Sequence, residues 1–78
     1  MKPKINWDGI IFTVVDHVKI GVRLHKLTLN VAGIMEVSVY AHEDEGMFTV
    51  KHYNQDVLKI ISDEFTKSLE SLLTLNYL

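Results

Sequence analysis

The chain has 78 residues, of which 47% are hydrophobic, and a formal net charge of −2. This length allows one small domain, residues 1–78, and the apolar fraction is higher than that of disordered chains. The charge excludes a strongly basic nucleic-acid binder, and the absence of cysteine excludes disulfides, cysteine-bound zinc and thiol catalysis.

The amino-terminal region carries no recognisable targeting signal. Its basic start is followed by a segment that polar residues interrupt, among them Asn6, Asp8 and Asp16, and no small-residue cleavage site follows. No run of about 18 apolar residues occurs, so we expect no membrane span and a cytoplasmic protein.

Residues 7–20 fit two conformations equally well. Their β-branched and aromatic side chains favour a strand, with a turn at Asp16 and His17. The same residues also present an apolar stripe at helical spacing, with Asn6 placed to cap a helix and Gly21 placed to end it. Helix and strand therefore stay open as alternatives for this region.

Three later segments alternate apolar and polar residues with the period of a β-strand: residues 26–31, 35–41 and 47–53. Matching the apolar faces of the first two places Val31 opposite Met35, across a three-residue loop. The same matching places Val39 opposite Val50 and leaves a four-residue loop over residues 43–46. Both connections have lengths that are common in hairpins.

The clearest element is a C-terminal helix over residues 55–75, with Asn54 as its N-cap. The helix has an apolar stripe on one side, and polar residues such as Lys67 and Glu70 lie on the other side, which predicts a solvated face. Phe65 is near the middle of the apolar stripe, which should pack on the apolar face of the sheet. The stripe consists of Val57, Leu58, Ile61, Phe65, Leu69, Leu72, Leu73 and Leu75.

These elements predict a two-layer α+β fold. An antiparallel meander of three strands packs against the C-terminal helix. The sheet has four or five strands if the first quarter of the chain is β, and the element order is α-β-β-β-α if that quarter is helical.

The histidines and the known sequence motifs give no evidence of a metal site, a cofactor or a catalytic residue. His17, His25, His42 and His52 show none of the short spacings of helical metal sites. The predicted register places His25 opposite Ala41 and His52 opposite Val37, roughly 16 Å apart, whereas ligands of one metal converge on bonds of about 2 Å. Nucleophile and phosphate-binding motifs are also missing from the sequence.

Three groups of residues are candidates for binding a partner. Tyrosines between lysines on the outward sheet face can stack nucleic-acid bases: Lys26, Tyr40, Lys51 and Tyr53. An acidic hairpin tip can contact a basic surface: Glu43, Asp44 and Glu45. Apolar residues that we expect to remain exposed form a candidate partner interface: Ile10, Phe12, Ile60, Leu75, Tyr77 and Leu78.

The sequence favours a non-enzymatic protein-interaction module that binds another protein or itself. Its size and slight acidity are typical of accessory and regulatory proteins, including inhibitors from phages and mobile elements. A homodimer is the expected form, because a chain of this length without disulfides buries little surface alone. Nucleic-acid binding by the sheet face is the alternative, although one arginine, Arg23, supplies little phosphate neutralisation.

Overall fold

Five β-strands and one α-helix form the regular structure of residues 2–53 and 62–78, which the computed structural model describes. The strands are β1 (Lys4–Trp7), β2 (Ile10–Lys19), β3 (Leu24–Val31), β4 (Met35–Asp44) and β5 (Met47–Tyr53), and the helix is α1 (Asp63–Tyr77). The strands form one antiparallel sheet in chain order, β1-β2-β3-β4-β5. The fold is of the α+β class, and its five strands exceed the three of the basic meander and agree with the alternative in which the first quarter is β.

The first quarter of the chain is a β-hairpin, and the helical alternative is wrong. β1 and β2 pair on either side of Asp8 and Gly9. Both turn residues have positive φ angles, 52° and 81°, which match the twist of the strands that they join. Gly9 adopts this conformation without the steric cost of a Cβ. The Asp-Gly turn signal therefore outweighs the helical stripe, and Asn6 and Gly21 delimit no helix.

β2 continues through Asp16 and His17, where a turn was the expectation, and carries a β-bulge instead. Its pairing with β3 shifts between Val14 and Asp16, which leaves Val15 without an opposite residue. Before the bulge Val14 points into the core, and after it His17, opposite Leu27, points to the same side. The extra residue thus turns His17 to the inner face of the sheet.

The predicted pairing of the next two strands is confirmed. Val31 lies opposite Met35, and residues 32–34 form the three-residue loop between β3 and β4. Asn30 stabilises this loop, because its Oδ1 accepts a hydrogen bond of 2.8 Å from the backbone N–H of Gly33. Both strands are longer than predicted, since β3 begins at Leu24 and β4 continues to Asp44.

The register between β4 and β5 differs from the prediction by two residues. Val50 lies opposite Ala41 instead of Val39, because only two residues, Glu45 and Gly46, connect the strands. Their φ angles are 52° and 79°, again a turn that follows the strand twist. From Met47 to Val50 this shift of two residues leaves each side chain on its predicted face, since faces alternate with a period of two. A β-bulge at Lys51 then adds one more residue, so that Tyr53 lies opposite Val39.

Helix α1 begins at Asp63, and Ser62 is its N-cap. Ser62 has an extended backbone, and its Oγ accepts a hydrogen bond of 3.1 Å from the N–H of Phe65, so a continuous helix over 55–75 is wrong. The predicted cap Asn54 and the stripe residues Val57, Leu58 and Ile61 lie outside the described residues. Across residues 2–53 and 62–78, no helix combines the length and the apolar character that crossing a bilayer requires.

The core lies between the inner face of the sheet and α1. The ring of Phe65 contacts Phe12 at a centroid distance of 4.6 Å and Trp7 at 5.7 Å. Because α1 touches both edge strands, β1 and β5, the sheet curls around the helix. The buried apolar side chains are Phe12, Val14, Leu27, Leu29, Val31, Val37, Val39, Ala41, Phe48, Phe65, Leu69 and Leu73.

Candidate functional site

Helix α1 covers the free edge of β5 with two polar side chains. Thr74 Oγ1 accepts a hydrogen bond of 3.0 Å from the N–H of Phe48, and Glu70 Oε2 accepts one of 2.8 Å from the N–H of Val50. These are the groups to which an added strand would otherwise bind. Glu70 therefore has a structural partner, and its predicted place on a solvated helix face is wrong.

A groove of about 530 Å³ lies beside this edge, between β5 and α1. Leu75 is 82% exposed and Met47 55% exposed, and both line the groove. Leu78 is also exposed and borders the β4–β5 turn that precedes Met47. We call these three residues the helix-edge patch. Clustered exposed apolar side chains mark binding surfaces more often than scattered ones do.

The predicted partner interface is only partly exposed. Leu75 and Leu78 are at the surface, as expected, although Leu75 departs from the predicted buried stripe. Phe12 is 2% exposed, so its predicted exposure is wrong. β2 directs Phe12 into the core and its neighbour Ile11 outward, because successive side chains of a strand point to opposite faces.

The other predicted interface residues do not join the helix-edge patch. Ile10 and Tyr77 are half-buried and pack against the core. Ile60 lies outside the described residues. Met47, which directly follows the β4–β5 turn, is exposed and was not among the predicted interface residues.

Two histidines lie side by side at one end of the inner sheet face. His17 Nε2 is 2.7 Å from His25 Nδ1, and the ring planes are 8° apart, so the rings share a hydrogen bond. His25 lies opposite Ala41, as predicted, and is 4% exposed. The sequence gives no direct signal for this pair, because only the bulge at Val15 brings His17 to the inner face.

Glu43 and Tyr77 complete what we call the histidine cluster. Glu43 Oε2 is 3.4 Å from His25 Nε2, and that nitrogen has no hydrogen-bond partner. The Tyr77 ring lies against His17 at a centroid distance of 4.3 Å. The Phe48 ring packs against His25 in a T-shaped contact, with ring centroids 4.8 Å apart and the ring planes at 86°.

Two members of this cluster, His17 and Tyr77, have shifted pKa values. Burial lowers the pKa of His17, and His25 lowers it further, while Asp16 and Glu43 act in the opposite direction. Burial also raises the pKa of the Tyr77 hydroxyl. The tautomers that satisfy the geometry place a proton on His25 Nε2, facing Glu43, and leave His25 Nδ1 to accept from His17.

No group of three or more histidine, aspartate or glutamate side chains within residues 2–53 and 62–78 is arranged to hold a metal ion. In the histidine cluster the two facing nitrogens bind each other. His42 lies opposite Thr49. His52 lies opposite Tyr40 instead of Val37, because of the changed β4–β5 register.

The predicted acidic hairpin tip is divided between two environments. Glu43 is a β4 residue that reaches the histidine cluster, and its N–H donates a 2.7 Å hydrogen bond to the Arg23 carbonyl. Asp44 and Glu45 are exposed. A pocket of about 570 Å³ beside them is also lined by Arg23 and Leu78, so the acidic side chains there face one cation.

The outer sheet face brings part of the predicted base-stacking group together. Lys26 lies directly opposite Tyr40, and Lys51 is exposed on β5. The side chain of Tyr53 lies outside what the structure describes. Asp16 and Glu36 lie on the same face, so the charges there are mixed.

The comparisons with known proteins add no relationship to these observations. No protein-family model matches the chain, and no curated protein and no solved structure matches it significantly.

Proposed function

We propose that the chain is a non-enzymatic protein-interaction module that binds through the helix-edge patch. The observation that carries the proposal is Leu75, which is 82% exposed in the last turns of a helix whose buried residues face the sheet. Leu75 and Met47 line one groove together. Burying a leucine side chain from water contributes about 1.5–3 kcal/mol, enough for such a patch to anchor an interface.

A second copy of the chain is the occupant that the patch fits best. Each copy presents protruding side chains, Leu75 and Met47, directly beside a concave groove, and a two-fold interface requires this self-complementarity. Lys67 and Glu70 also line the groove. A copy related by a two-fold axis can bring opposite charges together across the contact.

Light scattering across a range of protein concentrations tests this proposal. We expect the mass to rise from 9.0 kDa to twice that value as concentration increases. Leu75→Glu should hold the protein at the monomer mass, because it places a charge in the apolar contact. Ile34→Glu is the matched control: Ile34 is 85% exposed but lies in the β3–β4 loop, and it should dimerise like the parent.

A mass of 9.0 kDa at every concentration would contradict self-association. The patch would then serve a different protein, and a pull-down with the parent and with Leu75→Glu as bait decides that case. A partner retained by the parent and by Ile34→Glu, but lost by Leu75→Glu, supports the interaction module. A partner retained equally by all three baits contradicts this location for the site.

The pairing of Lys26 with Tyr40 favours a second candidate function, nucleic-acid binding by the outer sheet face. An aromatic ring beside a lysine can stack a base while the ammonium group contacts phosphate. Asp16 and Glu36 on the same face oppose this attraction. Affinity for a single-stranded oligonucleotide that falls steeply with salt, and is lost in Lys26→Glu, would support this function over the first.

A further inference from the structure

The hydrogen bond between His17 and His25 exists only while one of its two nitrogens is without a proton. His17 Nε2 and His25 Nδ1 face each other at 2.7 Å. A neutral imidazole has one N–H, and an imidazolium has two. The contact is compatible with a neutral pair and with a singly protonated pair. When both rings are protonated, two N–H groups point at each other and the rings must separate.

His17 is the ring that can move. His25 is 4% exposed and makes a T-shaped contact with Phe48, whereas His17 is half-buried. The Tyr77 ring packs against His17, with ring centroids 4.3 Å apart. A displacement of His17 therefore disturbs a contact between the last turn of α1 and β2.

The charged groups around the pair favour the first proton over the second. Glu43 on β4 lies beside His25, and Asp16 directly precedes His17 on β2; the negative charge of each favours a proton on His17. Lys19 lies directly opposite His25 on β2 and opposes added positive charge. From β5 the pair meets the apolar ring of Phe48, and from α1 it meets Tyr77, whose hydroxyl stays neutral well above the pKa of an ordinary histidine.

We propose that the His17–His25 pair is a proton-operated latch for the C-terminal turn of α1. At neutral pH the shared hydrogen bond keeps His17 beneath Tyr77 and the turn is docked on the sheet. When both rings are protonated, the pair separates, His17 leaves the inner face, and the turn that carries Tyr77 and Leu78 is released. The lowered pKa of His17 agrees with a second proton that binds only in acid.

Solution NMR of the parent protein tests the latch directly. We follow the ring resonances of His17, His25 and Tyr77 while lowering the pH from about 8 to about 4.5, which spans the ordinary histidine pKa. We expect the contact signal between the Tyr77 and His17 rings to be lost at the acid end, together with protection of the Leu78 amide. The Trp7–Phe65 contact, at the other end of the core, should persist.

Two substitutions separate the latch from general acid unfolding. His17→Gln removes the titrating ring, and the Tyr77 ring signal should then no longer move with the histidine titration. His42→Gln is the control, because His42 lies on the outer face, and it should behave like the parent. A Tyr77–His17 contact that survives throughout the titration overturns the latch, whether or not the variants fold. Loss of the Trp7–Phe65 contact at the same pH also overturns it, since the whole core would be opening.

Discussion

Different kinds of side chain cover the two ends of the inner sheet face. At one end Trp7, Phe12 and Phe65 pack ring against ring without a titratable group. At the other end His17 and His25 meet beneath Tyr77, with Glu43 alongside. The same sheet and the same helix form both ends, and the difference comes from the side chains and from the β-bulge at Val15 that turns His17 inward.

The two ends should respond differently to the solution around the protein. Apolar packing depends on shape and on exclusion of water, neither of which changes between acid and neutral pH. A hydrogen bond between two imidazoles depends on the proton count of both rings. We therefore expect the contribution of the aromatic end to the free energy of unfolding to be independent of pH, and the contribution of the histidine end to change with pH.

Removing the central ring of the aromatic end should have the largest effect. Phe65→Ala should lower the free energy of unfolding by about 3–5 kcal/mol, because it truncates a fully buried aromatic residue. Chemical denaturation monitored by circular dichroism measures the change. A loss below about 1 kcal/mol would mean that the neighbouring side chains fill the space left by the ring, and that Phe65 is not central to the aromatic packing.

A smaller loss should follow from uncovering the edge of β5. Thr74→Val keeps the shape of the side chain but removes the acceptor for the N–H of Phe48, and an unpaired buried N–H costs about 1–3 kcal/mol. Ser71→Ala is the control, since Ser71 is an exposed neighbour in the same groove. Equal stability of the two variants, measured by denaturation, would show that water replaces the Thr74 hydroxyl.

The pH dependence of stability compares the two ends most directly. The folded-state pKa of His17 is lowered, so the unfolded chain binds its proton first as the pH falls. The contribution of His17 is complete above about pH 6.5 and declines below it. His17→Gln should flatten this decline. Leu69→Val, in the apolar core, should lower stability by about 1 kcal/mol at every pH, and parallel curves for the parent and His17→Gln would contradict the comparison.

The smallest effects should come from the acidic residues. Asp44→Asn changes an exposed side chain and should alter stability by less than about 0.5 kcal/mol at any pH. Glu43→Gln should also have little effect at neutral pH, but it removes the carboxylate that faces His25. Thermal melts at two pH values should therefore show a larger acid-side change for Glu43→Gln than for Asp44→Asn.

Much of this architecture follows from residue parity in the sequence. The alternation in residues 26–53 predicts the three strands, and up to Val50 it also predicts the face of each inward side chain, because burial selects one parity. Parity does not fix the register. Because the turn has two residues, Glu45 and Gly46, instead of the predicted four, the observed β4–β5 pairing differs from the predicted one by two positions. In residues 7–20 the helical stripe competes with the turn signal of Asp8 and Gly9, and the hairpin forms because that turn matches the strand twist.

The histidine cluster could not be predicted from the sequence, for a physical reason. A bulge adds one residue to a strand and reverses the parity of everything beyond it. Val15 is that residue, and a valine is common in regular strands, so the sequence does not indicate a bulge there. Without the bulge, His17 would lie on the outer face, away from His25. For this reason the sequence predicts no contact between the two histidines.

The covering of the β5 edge has a consequence for how copies of this chain can accumulate. A fibre built by strand addition needs both edges of every sheet, one to accept the preceding copy and one to offer to the next. Thr74 and Glu70 occupy the N–H groups of Phe48 and Val50, so a further strand finds these two donors already bonded. Among the described strands, the β1 edge is therefore the one that favours such addition. There it ends after a single step, in a closed pair rather than a growing polymer.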